Sequence, residues 1–145
     1  MKALVVFDST WGNTEKIAKA IAEGIGGDTR AVRVGTTQAA ELDRLDLLVL
    51  GSPVLGGRSS PAMQALLGSL PPKKLTVATF DTRLVARFTR IFGFAATRMA
   101  DTLKEMGHDV TSTEGFFVRG RAGPLAEGEI ERATQWGKSI RASSR

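Results

Sequence analysis

Phe7-Asp8-Ser9-Thr10-Trp11-Gly12-Asn13-Thr14 joins an apolar run, Ala3-Leu4-Val5-Val6-Phe7, to an amphipathic stretch that begins near Asn13. A strand, a short hydroxyl-bearing loop and a helix N-terminus, in that order, make an anion site. The first turn of a helix presents backbone N–H groups that have no intrahelical acceptor, at the positive end of the helix dipole. Ser9, Thr10 and Thr14 add hydroxyl donors. Gly12 lets the main chain approach an anion with no Cβ in the way. No Lys or Arg lies between Phe7 and Thr14, so neutral donors are expected to do the binding. The stretch matches neither the G-x-x-x-x-G-K-[ST] nucleotide loop nor the G-x-G-x-x-G dinucleotide turn.

Outward from this loop, strand and helix patterns alternate. Ile17, Ala20, Ile21, Gly24 and Ile25 recur at helical spacing, and Gly26-Gly27 closes the helix. Thr29–Val34 reads as a second strand, Gln38–Arg44 as a weak short helix, and Leu45–Leu50 as a strand buried on both faces. Gly51-Ser52-Pro53-Val54-Leu55-Gly56-Gly57-Arg58 follows, too rich in turn formers and too long for a simple link. Ser60-Pro61 opens a helix to about Leu70, with Ser as N-cap and Pro at the first helical position. Leu75–Phe80 reads as a fourth strand and Asp81–Arg90 as a polar, Arg-rich segment. A helix carrying Phe92, Ala95, Ala96, Met99, Leu103 and Met106 on one face then runs to Gly107. The fifth strand spans Val110–Val118 with a break near Glu114-Gly115, and the last helix opens near Leu125 with Ile130, Ala133, Gly137 and Ile140 as its buried stripe. Five alternations predict an α/β fold: a doubly wound, five-stranded parallel sheet of order 2-1-3-4-5 with helices on both faces. A ligand then belongs outside the C-terminal ends of strands one and three, where the two unusual loops sit.

Those two loops resemble the flavodoxin family. Ser9-Thr10-Trp11-Gly12-Asn13-Thr14 is similar to the family's T/S-x-T-G-x-T phosphate loop, with Trp11 in place of a hydroxyl residue. Gly51-Ser52-Pro53-Val54-Leu55-Gly56-Gly57 is similar to the G-x-P-x-[aromatic]-x-G loop that wraps the flavin ring, with Leu55 at the aromatic place. The resemblance covers essentially the whole chain, residues 1–145 as a single flavodoxin-like domain, and identifies it as a basic, divergent member. It implies FMN as cofactor. Ser9, Thr10, Gly12, Asn13 and Thr14 would hold the phosphate, and Pro53, Val54 and Leu55 would cover one ring face. Gly56, followed by Gly57, matches the peptide that reorients towards the flavin when the ring is reduced. Asp81, Thr82 and Arg83 would lie at the pyrimidine edge. The family's stacking Tyr has no counterpart, because the chain contains no Tyr. Trp11, Phe88 or Arg83 is expected to cover the second face. Trp136 is expected in the core or at a partner surface rather than against the flavin, and His108 at the surface near a helix end rather than in catalysis.

Composition narrows the function. With no Cys and one His, the chain carries no thiolate nucleophile, disulfide framework or His-rich metal cluster. No apolar run approaches a membrane span or a signal-peptide core, so a cytoplasmic place is expected. The net charge of +5 and pI of about 10.1 contrast with the acidic electron-carrier flavodoxins and favour anionic partners. Six of the thirteen arginines, Arg83, Arg87, Arg90, Arg98, Arg119 and Arg121, follow strands four and five and are expected to rim the site. The expected function is therefore an FMN-binding redox protein, an electron carrier or a small oxidoreductase. Its partner would be a redox protein or a small anionic or quinone-like acceptor. The alternative is a non-redox module that binds an acidic partner or nucleic acid through the arginines, nucleic acid being the less expected of these. A phosphorelay receiver would need an Asp at the end of strand three, where Gly51-Ser52 stands.

Overall fold

In a computed structural model, which describes residues 1–36, 39–85 and 94–144, the alternating strand side chains build two apolar layers. Strands β1 (Ala3–Phe7), β2 (Arg30–Arg33), β3 (Leu47–Pro53), β4 (Thr76–Leu84) and β5 (Asp109–Val118) form one sheet in the order β2-β1-β3-β4-β5, every pair parallel. Helices α1 (Asn13–Ile25), α2 (Ala39–Leu42), α3 (Pro61–Gly68), α4 (Ala95–Glu105) and α5 (Glu129–Ser143) connect and cover it. The fold class and strand order read from the sequence are those observed.

Because successive strand residues face opposite ways, β1 sends Val5 and Phe7 to one layer and Leu4 and Val6 to the other. Val5 and Phe7 pack with Ile17 and Ile21 of α1, Phe80, Phe116, and Trp136 and Ile140 of α5. Leu4 and Val6 pack with Met63 and Leu67 of α3 and Met99 and Leu103 of α4. Phe80, Phe116 and Trp136 meet edge to face, with centroids 6.0–6.2 Å apart. Of the two places expected for Trp136, the core is the one observed. A Cβ on Gly51 would overlap the Phe80 ring, so the bare Gly51 makes room for that cluster.

Several boundaries differ from the sequence reading. β3 runs through Gly51-Ser52-Pro53, and β4 runs through Asp81-Thr82-Arg83-Leu84, because the two strands pair as far as Pro53 and Thr82. Residues read as loop are therefore strand. β5 is continuous across Glu114-Gly115, and its irregularity lies against Val77 and Ala78 instead. The last helix opens at Glu129, since Leu125 is held in an antiparallel bridge to Val118. Ile130 is 43% exposed and leaves the buried stripe, which Trp136 joins. His108 is buried rather than on the surface, and its Nδ1 accepts the Leu75 N–H at 3.0 Å. Burial holds its imidazole below its ordinary pKa. Arg87, Phe88, Arg90 and Phe92 lie outside the described residues.

Candidate functional site

The loop after β1 is tied internally before it offers anything to a ligand. The Ser9 hydroxyl accepts the Gly12 N–H at 3.0 Å, and Asp8 accepts the Ser9 N–H at 2.9 Å. Behind the loop, Arg33 donates to the Ser9 carbonyl at 2.9 Å and lies 3.5 Å from Asp8 and 3.4 Å from Glu15. These carboxylates offset its charge. The loop that faces the site contains no cation of its own. Gly12 sits at φ 92°, with nothing within 4 Å of where a Cβ would stand, and it caps α1 without a side chain. The first-turn N–H groups of Asn13, Thr14 and Glu15 therefore have no acceptor supplied by helix or cap. Thr14 shares a 2.8 Å hydrogen bond with Thr82, which joins the loop to β4.

The second loop is equally defined. Val54 donates to the Thr82 carbonyl at 3.1 Å, which extends the β3–β4 ladder by one residue. Leu55 and Arg58 then exchange N–H···O bonds of 2.8 and 3.1 Å. Gly56 and Gly57 between them take φ 58° and 82°. A two-residue turn with both φ positive suits a hairpin and, for residues with a side chain, is strained. Ser52, fully buried, accepts the Ser60 N–H at 2.9 Å and donates to the Pro53 carbonyl at 2.9 Å, which fastens the base of the loop to the start of α3. Ser60 in turn accepts the Met63 N–H, the N-cap expected from Ser60-Pro61.

Between the loops lies a cleft of about 470 Å³, within the range of small-molecule sites. Ser9, Thr10, Trp11, Asn13, Thr14, Pro53, Val54, Leu55, Gly56, Gly57, Thr82 and Arg83 line it, and so do Leu84, Phe94, Val118 and Arg121. Trp11 and Leu55 are 47% and 40% exposed. Among the described residues the lining includes two arginines and no carboxylate, a balance suited to an anionic ligand. Gly12 shapes the loop from behind rather than lining the cleft.

Asp81 does not line the cleft either. It is fully buried, accepts Arg83 Nε and Nη2 at 2.7 and 2.8 Å, and accepts the Ala96 N–H at 2.9 Å. Asp81 is thus a side-chain cap for the first turn of α4, delivered from a neighbouring strand, where a carboxylate suits the helix dipole. Burial raises its carboxyl pKa from the ordinary value, against the pull of Arg83 and the Ala96 N–H. Phe94, Leu84 and Val118 went unread in the sequence. Extending the β4 pattern two residues past Thr82 would have brought Leu84 to the cleft. Phe94 carries no local signal, because its place depends on where α4 starts. Of the expected arginine rim, Arg83 and Arg121 line the cleft, whereas Arg98 belongs to a separate hollow beside Arg58 and Gln64. Among the described residues no group of three or more His, Cys, Asp or Glu could hold a metal ion, and no helix is long and apolar enough to cross a membrane.

A family model described as flavodoxin domain matches residues 4–125. A flavodoxin from the domain Archaea superposes with a TM-score of 0.80 over 99% of both chains at 21% identity. The rubredoxin:oxygen oxidoreductase of Desulfovibrio gigas matches with a TM-score of 0.76 at 20% identity over 99% of this chain but 36% of its own. At such identities these likenesses concern the fold. A curated chain of Thermosynechococcus vestitus, named for a diflavin flavoprotein (A 2), is 38% identical over 74 residues. That match covers 46% of this chain and 13% of the curated one.

Proposed function

The chain belongs to the flavodoxin domain family, an FMN-binding redox family, and from that premise we propose that its FMN occupies the cleft between the Ser9–Thr14 and Pro53–Gly57 loops. One observation carries this reading: the uncapped first turn of α1 opens at a cleft whose described lining contains arginines and no carboxylate. The N–H groups of Asn13, Thr14 and Glu15 and the hydroxyls of Thr10 and Thr14 would hold the phosphate. Ser9 and Gly12 would keep that loop in shape. Pro53, Val54 and Leu55 would cover one face of the ring, with Gly56-Gly57 at its edge. Trp11 and Phe94 would cover the other face, and Thr82 and Arg83 would meet the remaining edge. Asp81 supports Arg83 from beneath.

When bound, the flavin supplies the electron-transfer chemistry, and the residues of this chain supply binding, orientation and charge. Residues 1–145 are proposed to act as one flavodoxin-like domain. Two of the similar chains are named as a diflavin flavoprotein and a rubredoxin:oxygen oxidoreductase, and the present chain spans only part of each. Electron delivery to another redox centre, on a partner protein or on a small anionic or quinone-like acceptor, is the role proposed for it.

Colour is the first test. The purified protein supplied with FMN is expected to absorb at about 450 nm and to quench the free flavin's fluorescence. A colourless protein that ignores FMN would instead favour a non-redox module acting through its arginines. The phosphate site is tested by Thr14→Val, titrated with FMN and with riboflavin. Loss of one neutral hydrogen bond, about 0.5–1.5 kcal/mol, should weaken FMN about twofold to twelvefold and spare riboflavin. Equal losses for the two ligands would show that the Ser9–Thr14 loop does not read the phosphate.

A further inference from the structure

Arg83 is held on three sides. Its Nε and Nη2 form a two-pronged pair with the buried Asp81 carboxylate at 2.7 and 2.8 Å. Its guanidinium carbon lies 3.6 Å from the centroid of the Phe94 ring. It also touches the bare backbone of Gly115, paired with Asp81 across the β4–β5 ladder; a Cβ there would overlap the guanidinium. Asp81 is anchored in its turn by the Ala96 N–H at the start of α4. The Arg83 side chain is only 15% exposed, yet it forms part of the cleft wall. Nη1 makes no hydrogen bond among the described residues.

We propose that Asp81, Gly115 and Phe94 form a clamp that fixes Arg83 as a cation in the cleft wall, and that its Nη1 edge recognises the electron-rich edge of the bound flavin ring. This rests on the FMN reading above. A guanidinium on a free side chain would give up several rotors to make such a contact. Here the carboxylate, the ring and the backbone have already removed that freedom. The carboxylate lies behind and the guanidinium in front, so the cleft faces the positive end of the pair. The reduced ring carries more negative charge than the oxidised ring, so a fixed cation favours the reduced cofactor. Arg83 meets the cofactor itself, and Asp81, Phe94 and Gly115 are the residues that position it.

The test compares the FMN-loaded wild type with Arg83→Gln, Arg83→Lys and Gly115→Ala, after circular dichroism has shown each to be folded. Affinity for oxidised FMN is read by fluorescence and the two-electron midpoint potential by equilibration with a reference dye, at low and high salt. Arg83→Gln is expected to lose about tenfold of the preference for reduced over oxidised FMN, a fall of about 30 mV. Gly115→Ala keeps every charge but displaces the guanidinium, and its potential should fall in the same direction. Arg83→Lys cannot fork onto Asp81, so it should behave like Gly115→Ala and serves in its place should that variant not fold. The shift should persist at high salt, because the group is sheltered. A wild type that binds no FMN would overturn the FMN reading and this inference together. A wild type that binds FMN, with an unchanged potential in Arg83→Gln, would overturn the clamp alone. A fall in Arg83→Gln matched by no change in Gly115→Ala or Arg83→Lys would also overturn it, because position would then not matter.

Discussion

Asp81 and His108 are buried titratable side chains that, like Glu129 with the Phe117 N–H, each accept a backbone N–H from another element. Asp81 receives the start of α4, and His108 receives Leu75, just ahead of β4. The His108 contact needs an unprotonated Nδ1, so the folded chain favours the neutral imidazole. The folded pKa is lowered by burial, whereas the unfolded imidazole keeps its ordinary value of about 6.5. A lowered histidine means that the unfolded chain binds the proton more readily. Its contribution to stability is therefore complete above about pH 6.5 and is lost as the pH falls from there towards the folded pKa. Wild type should lose more stability between about pH 7.5 and about pH 5.5 than His108→Asn, whose amide oxygen can accept from Leu75 without titrating. Urea unfolding at both pH values measures this, and parallel losses in the two proteins would clear His108 of any part in acid sensitivity.

At the scale of elements, α1 and α5 approach unusually closely, through Gly24 and Gly137. A Cβ on Gly24 would overlap the Thr134 carbonyl, and one on Gly137 would overlap the Ile21 carbonyl. Two opposing effects decide Gly24→Ala. Removing a glycine from a helix interior gains at most about 1 kcal/mol. Forcing a methyl group against a main-chain carbonyl costs about 1–3 kcal/mol, and no rotamer change relieves it. The variant should therefore be less stable, with a lower urea midpoint and an unchanged slope. A midpoint that rises would mean that the helices part at little cost. Because α1 also carries the Ser9–Thr14 loop at its other end, its seating on α5 is one of the supports of the candidate site.

For the molecule as a whole, the net charge of +5 acts through its distribution. Arg121 lines the cleft, and Arg119 and Arg121 are exposed on the loop that follows β5. Exposed guanidinium groups at this rim steer anions over a range set by the Debye length, about 10 Å at 0.1 M salt. Arg119→Gln/Arg121→Gln should slow electron exchange with an anionic acceptor more than with a neutral one. The difference should shrink at high ionic strength, unlike the effect expected of the sheltered Arg83. Stopped-flow rates with two acceptors of unlike charge provide the measurement, and equal slowing of both would reduce these arginines to surface solvation.

The layers, the strand order and the two loops at the switch point were legible in the sequence, because they rest on periodicity and turn chemistry that act within a few residues. Apolar alternation in β1 and β3, the helical spacing of α1 and the Gly-rich Gly51–Arg58 stretch all carry their meaning locally. Tertiary structure alone decided what depends on pairing between distant segments. β4 continues past Phe80 because β3 and β5 flank it, and this turns Asp81-Thr82-Arg83 from loop into strand and alternates their directions. Asp81 and Arg83 then share one side, where Asp81 is buried against the start of α4 and Arg83 extends from it to the cleft, while Thr82 points the other way, to Thr14. His108 is drawn inside by a single N–H from Leu75, and Phe94 reaches the site only because α4 begins behind it. These placements follow from hydrogen bonds and packing across tens of residues, which local pattern does not encode.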